Sequence, residues 1–162
     1  MKIPKKIISL KKLLLFRNRS RIQRKKVVFT NGCFDLIHVG HVLLLEKARE
    51  LGNTLIVGLN SDHSVRRLKG PPRPLTPLWA RAKVLSSLSC VDYVIPFKED
   101  TPLRLIRTLR PDILVKGADY KSKHIVGREF AGKVVRIPLR NGFSTTHLIQ
   151  KLRKNRPRVI FI

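Results

Sequence analysis

Five short runs in this chain, at residues 27–30, 54–59, 93–96, 113–115 and 134–137, are dominated by apolar residues without alternation, with Arg136 their one charge. A strand that is apolar at every position needs cover on both faces. The intervening stretches supply that cover, because their apolar residues recur at three-to-four spacing, as on an amphipathic helix. Strand and helix alternate from one end to the other, which predicts βαβ units. The expected fold is therefore α/β: a Rossmann-like parallel sheet with helices on both faces. In such sheets ligands bind beyond the carboxyl ends of the strands.

The helical stretches carry start and stop signals. Residues 39–51 place Val42, Leu45, Ala48 and either Leu44 or Leu51 on one face, and Gly52-Asn53 ends the run. Ser61 or Asp62 caps a short helix through Leu68. Thr76-Pro77 opens another, with proline at the first helical position and Leu78, Ala82 and Leu85 on one face. Asp100-Thr101-Pro102 opens a helix bearing Leu105, Ile106 and Leu109. Ser144 caps a final helix with Leu148, Ile149 and Leu152. At 162 residues the chain reads as one globular unit. Residues 1–25 are expected to form a basic leading helix with Leu10, Leu13, Leu14 and Ile22 as its apolar side. Residues 26–152 form the main domain, and residues 153–162 a basic tail, loose or adding a small edge strand.

The formal net charge is +25, and it is unevenly spread. Residues 1–26 hold 11 Lys and Arg and no acid; residues 130–162 hold 8 and no acid. All 10 acidic residues fall between Asp35 and Glu129. The basic ends suit nucleic acid or an anionic membrane. They equally suit solvated helix faces, the favoured reading, since no aromatic residues interleave with the cations and no nucleic-acid motif is present. No apolar run approaches the roughly 20 residues of a membrane span. The basic N-terminus lacks the apolar stretch and cleavage site of a signal peptide, so a cytoplasmic protein is expected. Cys33 and Cys90 lack metal or disulfide spacing, and the Cys33 side chain reads as a small filler.

The first strand runs directly into "NGCFDLIHVGH", residues 31–41. Two imidazoles so placed have three readings: packed core side chains, metal ligands, or grips for phosphate. His63, His124 and His147 are scattered without metal spacing, and the HExxH pattern is missing. A helix starting near Val39 would put His38 and His41 at its first turn, where free amides and the helix dipole favour an anion. That makes phosphate the favoured reading. Gly40 would admit a phosphate closely, and Gly32 would permit a tight turn. The amides around Cys33 and Phe34 add donors. Neither GxGxxG nor GxxxxGK[ST] occurs, so a nucleotide would be held another way.

These residues resemble the signature of the HxGH nucleotidyltransferases, the cytidylyltransferase-like group. The resemblance extends in order through "VVFTNGCFDLIHVGH", "LIVGLNSDHSVRRLKG", "RPLTPLWARAKVLSSLSCVDYVI", "FKEDTPLRLIRTLRPDILVKGADY" and "NGFSTTHLI". Over about residues 7–152 it is similar to the adenylyltransferase half of bacterial bifunctional heptose kinase/adenylyltransferases, which make the ADP-activated heptose of the lipopolysaccharide inner core. The leader "KIISLKKLL" is similar to the helix that precedes that half, with lysines in place of its usual acids.

The resemblance implies that His38 and His41 bind the nucleotide's phosphates and stabilise the transition state. Lys69 draws charge from the transferring phosphate, and Arg81, with Asp62, serves the second substrate's phosphate. Gly117 and Asp119 line the base and ribose, while Ser144, Thr145 and Thr146 cap the nucleotide's phosphates. Asp35 belongs to the nucleotide motif and is expected to lock its turn. The implied reaction transfers AMP from ATP, with Mg2+ held mainly by the phosphates, to heptose 1-phosphate. A homodimer is expected, as is a separate sugar kinase supplying the substrate. Two alternatives stay open: a cytidylyltransferase acting on glycerol 3-phosphate or a related alcohol phosphate, and a nucleic-acid-binding protein on an inactive transferase scaffold.

Overall fold

The computed structural model describes residues 5–117 and 125–138. Five strands, β1 (Val27–Gly32), β2 (Thr54–Asn60), β3 (Tyr93–Phe97), β4 (Ile113–Gly117) and β5 (Lys133–Ile137), form one sheet in the order β3-β2-β1-β4-β5. Every pairing is parallel. The five expected runs are the five strands, several extended by a residue or two. β1 continues through Asn31 and Gly32, where a turn was expected, because both residues stay in register with Gly58 and Leu59.

Among the described residues five α-helices cover the sheet: α1 (Leu10–Ile22), α2 (Val39–Glu50), α3 (Asp62–Lys69), α4 (Leu78–Ser87) and α5 (Leu103–Leu109). Successive strand residues point to opposite faces. Val28, Leu55, Val57 and Leu59 pack with Leu44, Leu45 and Ala48 of α2 and Ala82 and Leu85 of α4. Val27, Phe29 and Ile56 pack with Leu13 of α1 and Leu105, Ile106 and Leu109 of α5. The apolar runs of β1 to β4 are thus explained by two cores, one per face, while the outer strand β5 is mostly half-buried or exposed. Ser61 caps α3 by accepting from Ser64 N–H, as expected. Pro77 occupies the N-cap of α4 rather than its first helical position.

The leading segment is bound into the sheet. Ile7 bridges Val94 in parallel, Ile8 N–H donates to the Val94 carbonyl at 3.0 Å, and Val94 N–H donates to Lys6 at 2.9 Å. This covers the edge of β3, which would otherwise present open backbone groups. α1 then packs on α5 with a face different from the one expected. Leu13, Arg17 and Ser20 are buried, whereas Leu14 is exposed and Ile22 is 83% exposed. Arg17 turns inward because it has partners there. Its guanidinium donates to the Leu109 and Arg110 carbonyls at the end of α5 and pairs with Asp112 at 3.0 Å. Asp112 in turn accepts from Val27 N–H, so one ion pair joins α1, α5 and the start of β1.

Among the described residues no helix is long and apolar enough to cross a membrane. The expected final helix from Ser144, the tail at 153–162, and His124 and His147 lie outside the described residues.

Candidate active site

The strand order reverses between β1 and β4, and a crevice forms there. Pairing between these strands ends at Phe29 with Leu114, yet β1 runs on to Gly32 and β4 to Gly117. The strands part at their carboxyl ends, where α/β sheets bind ligands. Lys116, almost fully buried, spans the gap and donates to the Asn31 side-chain oxygen. Sequence reasoning passed over this lysine. The signal was a lone cation in an otherwise apolar strand, directly before Gly117.

The chain leaves β1 through a tight turn. Phe34 takes a left-handed conformation (φ 44°), is buried, and sets its ring 5.1 Å from that of His41. His38 is then the N-cap of α2 and His41 lies in its first turn, as expected. Ser9 caps α1 and Ser61 caps α3 with a side-chain oxygen, whereas α2, like α4 and α5, has no side-chain cap. In its first turn His41 N–H donates to the His38 carbonyl, and uncapped first-turn amides are groups that can receive an anion. Gly40 is buried between the two histidines in sequence.

The two imidazoles stack, with ring centroids 3.9 Å apart and planes 26° from parallel. Both Nδ1 atoms are buried without a hydrogen-bond partner among the described residues. Burial, and secondarily the neighbouring His38, push His41 down to about 4, and burial also lowers His38. Both rings are therefore neutral at pH 7, so they stack without repulsion. An arriving polyanion favours the protonated form and reverses that pressure.

The turn is held by two ion pairs around a second loop. The Asp35 carboxylate, 1% exposed, accepts from the N–H groups of Leu75 and Thr76 at 2.9 Å each and pairs with Arg73 at 2.7 Å. It ties residues 73–76 to the histidine turn, and the lock expected of it is this contact. Arg73 was not singled out from the sequence, since nothing local marks it as Asp35's partner.

Arg81 stands differently from its expected position. Its side chain is wholly buried and donates to the Thr76 and Cys33 carbonyls and to Asp62 at 2.7 Å. Asp62 also accepts from Leu78 N–H. The guanidinium thus clamps the histidine turn, the start of α3 and the start of α4 together, and presents no surface to a ligand. Burial raises the Cys33 thiol above its usual range, while the charges of Lys69 and Arg81 oppose the rise. Lys69, the exposed last residue of α3, is thereby placed within electrostatic reach of the turn. Gly117 ends β4 at the crevice. Asp119, Ser144, Thr145 and Thr146 lie outside the described residues.

A family model described as cytidylyltransferase-like matches residues 29–151, a span that begins in β1 and includes the histidine turn. The chain belongs to the cytidylyltransferase-like family. It is 53% identical over 149 residues to a protein named bifunctional protein HldE from Helicobacter pylori (strain P12), covering 92% of this chain and 31% of that one. Its identity to the bifunctional protein HldE of Syntrophotalea carbinolica is 58% over 136 residues, covering 82% of this chain and 28% of that one. The chain thus spans about a third of the length of these curated relatives. Among solved structures it resembles a lipopolysaccharide core biosynthesis protein from Thermoplasma volcanium GSS1, with TM-score 0.62 and 28% identity, covering 72% of this chain and 99% of that one. A pantoate-β-alanine ligase from Francisella tularensis shares the fold at TM-score 0.61 and 17% identity, covering 91% of this chain and 76% of that one.

Proposed function

We infer that this chain transfers AMP from ATP to a sugar 1-phosphate, heptose 1-phosphate, giving ADP-heptose and pyrophosphate for lipopolysaccharide precursor synthesis. The observation that carries this reading is the stacked, neutral histidine pair at an uncapped helix start, beside the opening of the sheet. High identity to the bifunctional HldE proteins and similarity to a lipopolysaccharide core biosynthesis protein support the choice of substrates.

An oxygen of the sugar phosphate attacks the α-phosphorus of ATP in line, and the bond from that phosphorus to the β-phosphate oxygen breaks. Pyrophosphate carries the electron pair away. The attacking phosphate is already ionised at neutral pH, so no strong base is needed. Catalysis is positioning and charge stabilisation. His38 and His41 hold the phosphates with ring N–H groups, the first amides of α2 add donors, and Lys69 approaches from α3 to take up developing charge. The resemblance assigns Gly117 and Asp119 to the base and ribose, and Ser144, Thr145 and Thr146 to the nucleotide's phosphates. Asp35, Arg73, Asp62 and Arg81 fix the two loops between which the substrates meet. Among the described residues no cluster of three or more His, Cys, Asp or Glu could hold a metal ion. In this reading the nucleotide's own phosphates would hold Mg2+, which would offset part of their charge. A sugar kinase reaction supplies the 1-phosphate, and the active species is a homodimer in the cytoplasm.

The family's cytidylyltransferase description keeps a second nucleotide in view. Pyrophosphate release is to be measured with ATP and with CTP, each against heptose 1-phosphate and glycerol 3-phosphate. The expected result is release with ATP and heptose 1-phosphate. Release only with CTP and glycerol 3-phosphate would replace this reading, and release with none of the four pairs would end it.

A further inference from the structure

α1 is apolar on two sides, and only one of them is used by the fold. Leu13, Arg17 and Ser20 face the sheet. At 3.6 residues per turn, Leu15 and Ile22 fall two turns apart on the opposite side. They are 65% and 83% exposed. Lys11, Lys12, Arg19 and Arg21 surround them, all exposed, and the helix contains no acid. Among the described residues none of these four cations is in an ion pair. Exposed Arg24, Lys25 and Lys26 follow at the helix end, and exposed Arg107 lies on the neighbouring α5.

From this arrangement we propose that the outer face of α1 docks on an anionic membrane surface. Aliphatic side chains at the centre and cations at the rim are what an interfacial helix presents to lipid. Leu15 and Ile22 enter the headgroup boundary, while the lysines and arginines meet negatively charged headgroups. A single-stranded nucleic-acid surface would set aromatic rings among the cations, whereas the one uncharged polar side chain on this face is exposed Asn18, between Leu15 and Ile22. Here the one aromatic residue of α1, Phe16, turns inward and packs its ring 4.9 Å from Tyr93. The occupant fitted by this charge and shape is a lipid bilayer rich in anionic headgroups.

The test is co-sedimentation of the full chain with vesicles of neutral phosphatidylcholine, alone or mixed with phosphatidylglycerol. The chain is expected to sediment with the anionic vesicles only, and to release as salt rises. Leu15→Asn/Ile22→Asn should weaken binding about tenfold, and Lys11→Glu/Arg19→Glu by more than about tenfold. Both double variants should keep the wild-type melting temperature, because all four side chains are exposed. Undiminished vesicle binding by both variants would overturn the proposal, as would equal binding to neutral and anionic vesicles. Salt-sensitive binding to duplex DNA without vesicle binding would assign the face to nucleic acid instead. Loss of a dimer in Leu15→Asn/Ile22→Asn, measured by sedimentation equilibrium, would assign it to a second copy.

Discussion

At the scale of single residues, the imidazole pair is the proposed grip on the phosphates and a source of pH response. His41 is held near 4 in the folded protein, against about 6.5 when unfolded. Between those values the unfolded chain binds more protons, so stability falls as pH drops from 6.5 towards 4. The loss from this residue is at most about 3 kcal/mol. Urea midpoints at pH 7.5 and pH 5 should therefore differ more in the wild type than in His41→Asn. An equal pH dependence in both would show that His41 is not buried as a neutral ring. Arg81 makes a structural prediction. Replacing it by leucine removes three hydrogen bonds and strands Asp62, at a cost of about 3 kcal/mol. A lowered melting temperature checks this; an unchanged one would mean that the clamp carries little.

The histidine turn was readable because its residues are contiguous and the helix start is marked locally. The role of Arg81 was not. A resemblance assigned it to a substrate phosphate, but burial against Cys33 and Asp62 depends on how three distant segments meet. Lys116 escaped for a related reason: its partner Asn31 is far away in sequence and adjacent only across the parted strands.

At the scale of elements, the strands were visible because an uninterrupted apolar run between two helical stretches has few other uses. The helices emerged with small boundary shifts. α1 is the exception, since its sequence is apolar on both sides and periodicity does not say which side is inside. The deciding contact is Arg17 with the end of α5 and with Asp112, more than ninety residues away. A long side chain can bury its stem and still satisfy its charge. Arg17→Met should thus cost about 3 kcal/mol, although the replacement is apolar, because it leaves the α5 carbonyls without their donor and Asp112 without its ion-pair partner. Leu14→Ser, at an exposed position, should cost under about 0.5 kcal/mol. Chemical denaturation of the two variants compares them; the reverse order would contradict the burial of α1.

At the scale of the whole molecule, one parallel sheet brings separate sequence blocks to one edge: the turn after β1, the end of α3, the loop before α4 and the end of β4. Asp35 and Arg81 tie the turn after β1 to the loop before α4 and to the start of α3, and Lys116 ties β1 to the end of β4; in the proposed reading this frame does the work of a glycine-rich phosphate loop. The net charge of +25 accompanies this fold and does not define it, because the sheet's residues are mostly uncharged. In the proposed reaction the two stacked imidazoles grip a triphosphate while a second phosphate displaces pyrophosphate. The most direct measurement follows label from α-32P ATP into a sugar nucleotide, at saturating ATP and heptose 1-phosphate, for the wild type and His41→Ala. Transfer by the wild type, slowed about a hundredfold or more in the folded variant, is the predicted result. Transfer at an undiminished rate in His41→Ala would contradict the account.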